Sequence, residues 1–195
     1  MADAAQRFGG SMAALLGADT ELARSACDEA AAAGAPMVCV ANVNAADQVV
    51  ISGTEAGLDR AIAAAKAMGV KKALPLKVGG AFHSPLMAPA LVSLASAVAE
   101  TEFADARVPV VSNVDAGTHT RAAEIVPLLV AAICAPVRWH ETMQLMEPLG
   151  VRAIVEVGQG GVLHKLAKRA HPNLHVTRVA QPADAEVVAA EIGGL

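Results

Sequence analysis

The run Gly79-Gly80-Ala81-Phe82-His83-Ser84-Pro85-Leu86-Met87 holds the side chain best placed for chemistry, the imidazole of His83. Ser84 is a good N-cap, and Pro85 suits the first helical position because its missing N–H is one that a helix start leaves unpaired. His83 is therefore expected just before a helix N-terminus. The positive end of a helix dipole disfavours imidazolium, which suits the ring to accept a proton, the task of a general base. A loop histidine whose neighbours only cap a helix has the same spacing, and the residues alone leave both readings open.

Other clusters point to chemistry less well. Gly158, Gly160 and Gly161 precede a helical pattern and could cradle an anion. His164, His171 and His175 straddle a helix end and the next strand, a spacing that does not converge on one face, so solvated surface histidines are the better reading and no metal site is expected. Cys27, Cys39 and Cys134 are odd in number, widely spaced and without a C-x-x-C pair, which indicates neither a disulfide framework nor zinc. A reducing cytoplasm fits these thiols, and no cofactor is expected.

The elements that position His83 follow from hydrophobic periodicity. Strand Ser11 to Leu16, helix Glu21 to Ala33, strands Met37 to Val43 and Gln48 to Ser52, helix Glu55 to Met68 and strand Val70 to Val78 give the order βαββαβ. That is the ferredoxin-like unit, assigned to residues 10–78. Gly34 and Gly69 stand at helix ends, and Asn44 to Asp47 has turn chemistry. Residues 79–195 read differently, as an α/β alternation. A helix runs from Pro85, a strand from Val108 to Asn113, helices near Ile125 to Ile133 and His140 to Leu149, a strand from Arg152 to Val157, a helix from Gly161 to Arg169 and a strand from His175 to Ala180. This pattern predicts part of a parallel sheet under helical cover. So few strands leave an edge and a face poorly covered, and the second part reads as a domain that begins in its middle.

Composition bounds the function classes. Of 195 residues, 54% are hydrophobic and 17% charged, enough apolar material for a real core. A net charge of −4 with 2% aromatic residues supplies neither a basic face for phosphates nor a stacking platform for bases, so no nucleic-acid partner is expected. No apolar run reaches the length that spans a bilayer, the first residues lack the layout of a signal peptide, and no membrane association is expected.

At GAFHSPLM the sequence is similar to the stretch around the active-site histidine of acyltransferases that load malonyl units onto acyl carrier protein in fatty-acid and polyketide synthesis. Three further segments resemble that family in its order. They are Ala41-Asn42-Val43-Asn44-Ala45-Ala46-Asp47-Gln48-Val49-Val50-Ile51-Ser52-Gly53, Pro136-Val137-Arg138-Trp139, and Glu156-Val157-Gly158-Gln159-Gly160-Gly161-Val162-Leu163. The resemblance implies an α/β-hydrolase-like core with an inserted ferredoxin-like subdomain, and ping-pong transfer of malonyl from malonyl-CoA to the phosphopantetheine thiol of acyl carrier protein. By it, His83 is the general base, held by main-chain carbonyls from the 132–135 region, where Ala132 replaces the family's usual Gln. Asn44 falls near the substrate cleft, although an Asn at a turn more often serves the backbone. Phe82 matches the malonyl-selective form of the motif, and is equally well read as a core side chain. The glycine cluster shapes a turn, with Gln159 in place of a proline.

The family's nucleophile pattern G-x-S-x-G is absent from the sequence; Gly9-Gly10-Ser11-Met12-Ala13 comes nearest but resembles the start of the small-domain strand. Arg7 lies too late in the family's order to match the arginine that the resemblance sets against the malonyl carboxylate. The chain is thus expected to be the C-terminal portion of such an enzyme, inactive alone. Three origins fit. It is truncated, or half of a split enzyme completed by an N-terminal segment or partner chain, or a non-catalytic module that docks the carrier protein.

Overall fold

The computed structural model describes residues 2–194. It divides into two compact units, the first ending at Trp139 and the second beginning at His140.

In the first unit, α1 (Ala2–Phe8) leads into β1 (Ser11–Leu16), α2 (Thr20–Ala32), β2 (Val38–Ala45), β3 (Gln48–Gly53), α3 (Glu55–Ala67) and β4 (Lys72–Pro75). The strands form one antiparallel sheet in the order β2-β3-β1-β4, the ferredoxin-like arrangement that the sequence predicts. Asp19 and Thr54 cap α2 and α3 through side-chain oxygens that accept the amides of Leu22 and Gly57. The predicted strand from Val70 shrinks to four residues, whose partners on β1 are Ala13 to Leu16; one further bond, from Leu76 N to Met12 O at 2.9 Å, follows Pro75.

Both faces of this sheet are covered. Ala13, Leu15, Val49 and Ile51 pack with α2 and α3, while Met12, Ala14, Ala41 and Val50 form a second cluster against which Phe82 packs. That explains why β1 reads as a continuous apolar run rather than an alternating one. Strand β2 carries irregularities at Ala41 and Asn44, each an extra residue opposite β3. The outer edge of β2 is partly paired. Val137 donates its amide to Ala41 O at 2.8 Å and accepts that of Val43 at 2.9 Å.

After the sheet come a 3-10 turn (Pro85–Met87), α4 (Ala88–Ala99), β5 (Val110–Val111), β6 (Thr118–His119) and α5 (Ala122–Ala131). Here the sequence reading needs correction. The predicted strand from Val108 to Asn113 keeps two residues, and its partner is β6, antiparallel in a hairpin. The turn residues between them explain the difference. Asp115 Oδ1 accepts the amide of Gly117, the Ser112 and Ala116 main chains bond at 2.9 Å, and Ala116 takes a φ of 53°. Helix α1 was not foreseen either; it is a short, alanine-rich segment of seven residues.

The second unit follows α6 (Trp139–Gln144) with β7 (Ala153–Val157), α7 (Val162–Ala170), β8 (His175–Val179) and α8 (Asp184–Gly193). Strands β7 and β8 pair in parallel through α7, as the α/β alternation predicts. The helix expected from His140 to Leu149 gives way to turns after Gln144. The fold class is the expected one, a ferredoxin-like unit followed by part of a parallel α/β core.

Helix-to-sheet packing in the first unit relies on alanine. Ala18, Ala23, Ala26, Ala61 and Ala65 are completely buried. Interiors this close-packed leave no room for extra carbons. Ala61→Leu is therefore expected to cost about 1–3 kcal/mol, read as a lower urea midpoint at unchanged slope. An unchanged midpoint would show that α3 can lift from the sheet without loss.

Candidate active site

His83 sits in a loop that two close approaches hold against the first unit. A Cβ on Gly10 would lie 2.6 Å from Gly53 O and 2.9 Å from Ala81 Cβ, and one on Gly80 would lie 2.5 Å from Ala5 Cβ. Only glycine lets the backbone come so near. Ser84 is fully buried; its hydroxyl donates to Ala81 O at 2.6 Å and accepts the Leu86 amide at 3.3 Å. The sequence thus anticipated the Ser84 cap and Pro85 at the helix start, although the first turn is 3-10 and the α-helix begins at Ala88. Between these constraints His83 adopts a φ of 56°, a left-handed conformation that a non-glycine residue keeps only when its surroundings impose it.

The imidazole is held from one side. Nδ1 lies 3.1 Å from Ala132 O and 3.2 Å from Ala135 O. Carbonyl oxygens only accept, so the neutral ring serves them as the Nδ1–H tautomer, and Nε2 keeps its lone pair. An oriented imidazole with a free Nε2 is the arrangement of a general base; here main-chain carbonyls stand where a triad has a carboxylate.

His83 lines a cavity of about 700 Å³ whose walls come from α1, α4 and the end of α5, and are mostly apolar. Arg7, Asp3 and Ser93 bring polar groups to it. The guanidinium of Arg7 lies 5.8 Å from the ring centroid of Phe8. Sequence order gave no reason to connect Arg7 or Ser93 with His83; their proximity arises from α1, which no motif marks, and from the middle of α4, well beyond its Ser84-Pro85 start.

Phe82 and Asn44 do not line this cavity. Phe82 is half-buried and packs against two clusters, one containing Met12 and Val50 and the other Ala5, Met87 and Ile133. Asn44 is the extra residue near the end of β2. What the fold does bring to His83 is the end of α5, two oxygens without a side-chain signature.

Thiol chemistry is suppressed. Cys39 Sγ approaches His83 O at 4.0 Å, and burial, followed by the nearby Cys134, pushes its thiol up to about 11. Burial first, then Cys39 and Asp28, pushes the Cys27 thiol up to about 12, and burial also raises Cys134. Neutral thiols are poor nucleophiles.

In the second unit the glycine cluster accommodates a carboxylate of the protein itself. Glu156 Oε1 accepts the Leu163 amide at 3.1 Å at the start of α7, and a Cβ on Gly161 would lie 2.8 Å from Arg178 Nη1. His171 Nε2 bonds to Met143 O and His175 lies 3.4 Å from Glu191, so these two histidines have separate surroundings. Among the described residues no group of three or more candidate ligands could hold a metal ion.

Comparison with known proteins places this geometry. The acyl transferase domain family matches residues 2–191, and the chain belongs to that family. It is 39% identical over 178 residues to the malonyl CoA-acyl carrier protein transacylase of Bacillus subtilis, covering 91% of this chain and 56% of the relative. The crystal structure of FabD from Acinetobacter baumannii superposes with a TM-score of 0.89 at 33% identity, over 98% of this chain and 62% of that one. A type II polyketide synthase acyl-carrier protein in complex with its malonyl-transacylase gives a TM-score of 0.86 at 35% identity, with 98% and 62% covered. The chain thus spans about three fifths of the length of these relatives.

Two outcomes follow from the site. Ser84→Ala removes a buried donor and leaves Ala81 O without it, at an expected cost of about 1–3 kcal/mol in urea unfolding. The thiols give a pH dependence. The unfolded chain loses thiol protons near the ordinary 9.0, whereas folded Cys39 and Cys27 retain theirs to about 11 and about 12. Their contribution is complete below 9.0 and is lost as pH rises toward those values. Urea midpoints should decline through this window, less steeply in Cys27→Ala; an equal decline would exclude Cys27 as a source.

Proposed function

We propose that this chain supplies the general base of a malonyl-CoA:acyl carrier protein transacylase, with residues 10–78 as its inserted ferredoxin-like subdomain and 79–195 as part of its α/β core. The observation that carries the reading is the pair of carbonyls on His83 Nδ1, which leaves Nε2 as the proton acceptor. The family membership and the printed activities of the relatives support the choice of substrates, malonyl-CoA and the thiol of acyl carrier protein. Three cysteines without disulfides suit a reducing cytoplasm.

In this scheme a serine hydroxyl attacks the malonyl thioester while His83 Nε2 takes its proton. Coenzyme A leaves as the thiol once that proton is returned to its sulfur, and a malonyl-serine ester remains. The carrier-protein thiol then attacks the ester, and His83 again accepts and returns the proton. The sequence contains no G-x-S-x-G, so the serine comes from another segment, and the chain by itself forms no acyl-enzyme. Phe82 and Asn44 are assigned to the substrate side of the complete site, Phe82 by restricting the room for an α-branch. A second reading, a carrier-docking module without catalysis, rests on the same missing serine.

Incubation of the purified chain with radiolabelled malonyl-CoA is expected to give no hydroxylamine-labile label. Adding the serine-bearing N-terminal fragment of a relative should place label on that fragment, about 10²- to 10⁴-fold more slowly with His83→Ala. Label on this chain alone would disprove the absence of a nucleophile. Equal rates with and without His83 would favour the docking module.

A further inference from the structure

We infer that Pro136 is a positioning residue for His83: having no amide hydrogen, it leaves the Ala132 carbonyl at the end of α5 open to the imidazole. The inference rests on the reading of His83 as the base.

The end of α5 can be followed amide by amide. Ala132 donates to Leu128 O, Ile133 to Val130 O, and both Cys134 and Ala135 to Ala131 O. The next bond in the helical series would run from residue 136 to Ala132 O, and proline cannot make it. The amides that follow go elsewhere, Val137 to Ala41 O at 2.8 Å and Arg138 to Asn113 O at 2.9 Å. Helix ends leave carbonyls that need a donor. Here the imidazole supplies one, with Nδ1 at 3.1 Å from Ala132 O and 3.2 Å from Ala135 O.

Ala135 N still bonds to Ala131 O at 3.0 Å in the helical pattern, so the helix is poised to continue by one residue. Proline stops it in two ways. It removes the donor, and it disfavours the helical conformation of the residue before it. An ordinary residue at 136 would bring an N–H to Ala132 O, the nearer of the two oxygens that now hold His83. The Val137 bonds to β2 then fix the lateral position of the segment, so the acceptor oxygens are set by Pro136 on one side and by the sheet edge on the other. A proline soon after a helix is ordinarily read as a stop signal. At this position it also keeps an acceptor free for the catalytic ring.

The test reads the ring itself. In the uniformly 15N-labelled chain, long-range proton–nitrogen correlation spectra report which nitrogen of each of the six histidines carries the proton, with His83 assigned by loss of its signals in His83→Gln. The expected result is an Nδ1–H tautomer in the native sequence and a shift toward Nε2–H in Pro136→Ala. In a second variant N-methylalanine replaces residue 136, which has neither ring nor N–H and leaves the Ala135 carbonyl an amide. It is expected to retain the Nδ1–H tautomer. A folded Pro136→Ala chain with the native tautomer overturns the inference, and so does an N-methylalanine variant that loses it, because the missing N–H would then not be what matters. Should Pro136→Ala fail to fold, the N-methylalanine variant decides by the same criterion. The spectra require no acyl transfer, so their outcome is independent of whether the proposed activity is found.

Discussion

The contact of His83 Nδ1 with Ala132 O and Ala135 O is the interaction on which the site depends. A carboxylate in that place would bring a full charge that burial penalises unless it is paired. Two main-chain dipoles orient the ring without that cost. The precision of the site therefore resides in backbone placement rather than in a side-chain rotamer. That placement draws on distant parts of the chain: the loop closed by Ser84, the end of α5, and the edge of β2 against which Val137 is paired.

The ferredoxin-like sheet is consequently more than an appendage. One of its faces is filled by α2 and α3, while the other receives Phe82, the neighbour of His83. The extra residue at Ala41 lets Val40 and Val43 serve the helix face while Ala41 joins the Phe82 cluster. Ala41 O and Val43 N are also the groups that pair with Val137. An irregularity that looks like a fault in the ladder thus falls where the sheet meets the segment carrying the acceptors.

Much of this was legible in the sequence because it depends on local signals. Apolar periodicity with Gly34, Gly69 and the Asn44 to Asp47 turn as punctuation marks the βαββαβ unit, and Ser84-Pro85 marks the helix start after His83. The 132–135 region was identified as the source of the carbonyls through resemblance, not through any property of Ala132 or Ala135, whose side chains carry no signal for it. What could not be read depends on partners distant in sequence. The strand near Val110 turned out to be one arm of a hairpin because turn chemistry at Ser112 to Gly117 outweighs its apolar run. The cavity wall from α1 and α4, with Arg7 and Ser93, is set by tertiary packing of helices that lack distinctive residues at the relevant positions.

The alanines between helices and sheet have a thermal consequence. Alanine loses no rotamer freedom on burial but also hides little apolar surface. The heat capacity of unfolding scales with the apolar surface that becomes exposed. A core in which Ala18, Ala23, Ala26, Ala61 and Ala65 occupy fully buried positions therefore unfolds with a smaller heat-capacity increment than a leucine-filled core of the same length. Its stability curve is correspondingly shallow, so the scaffold behind His83 changes its margin slowly with temperature.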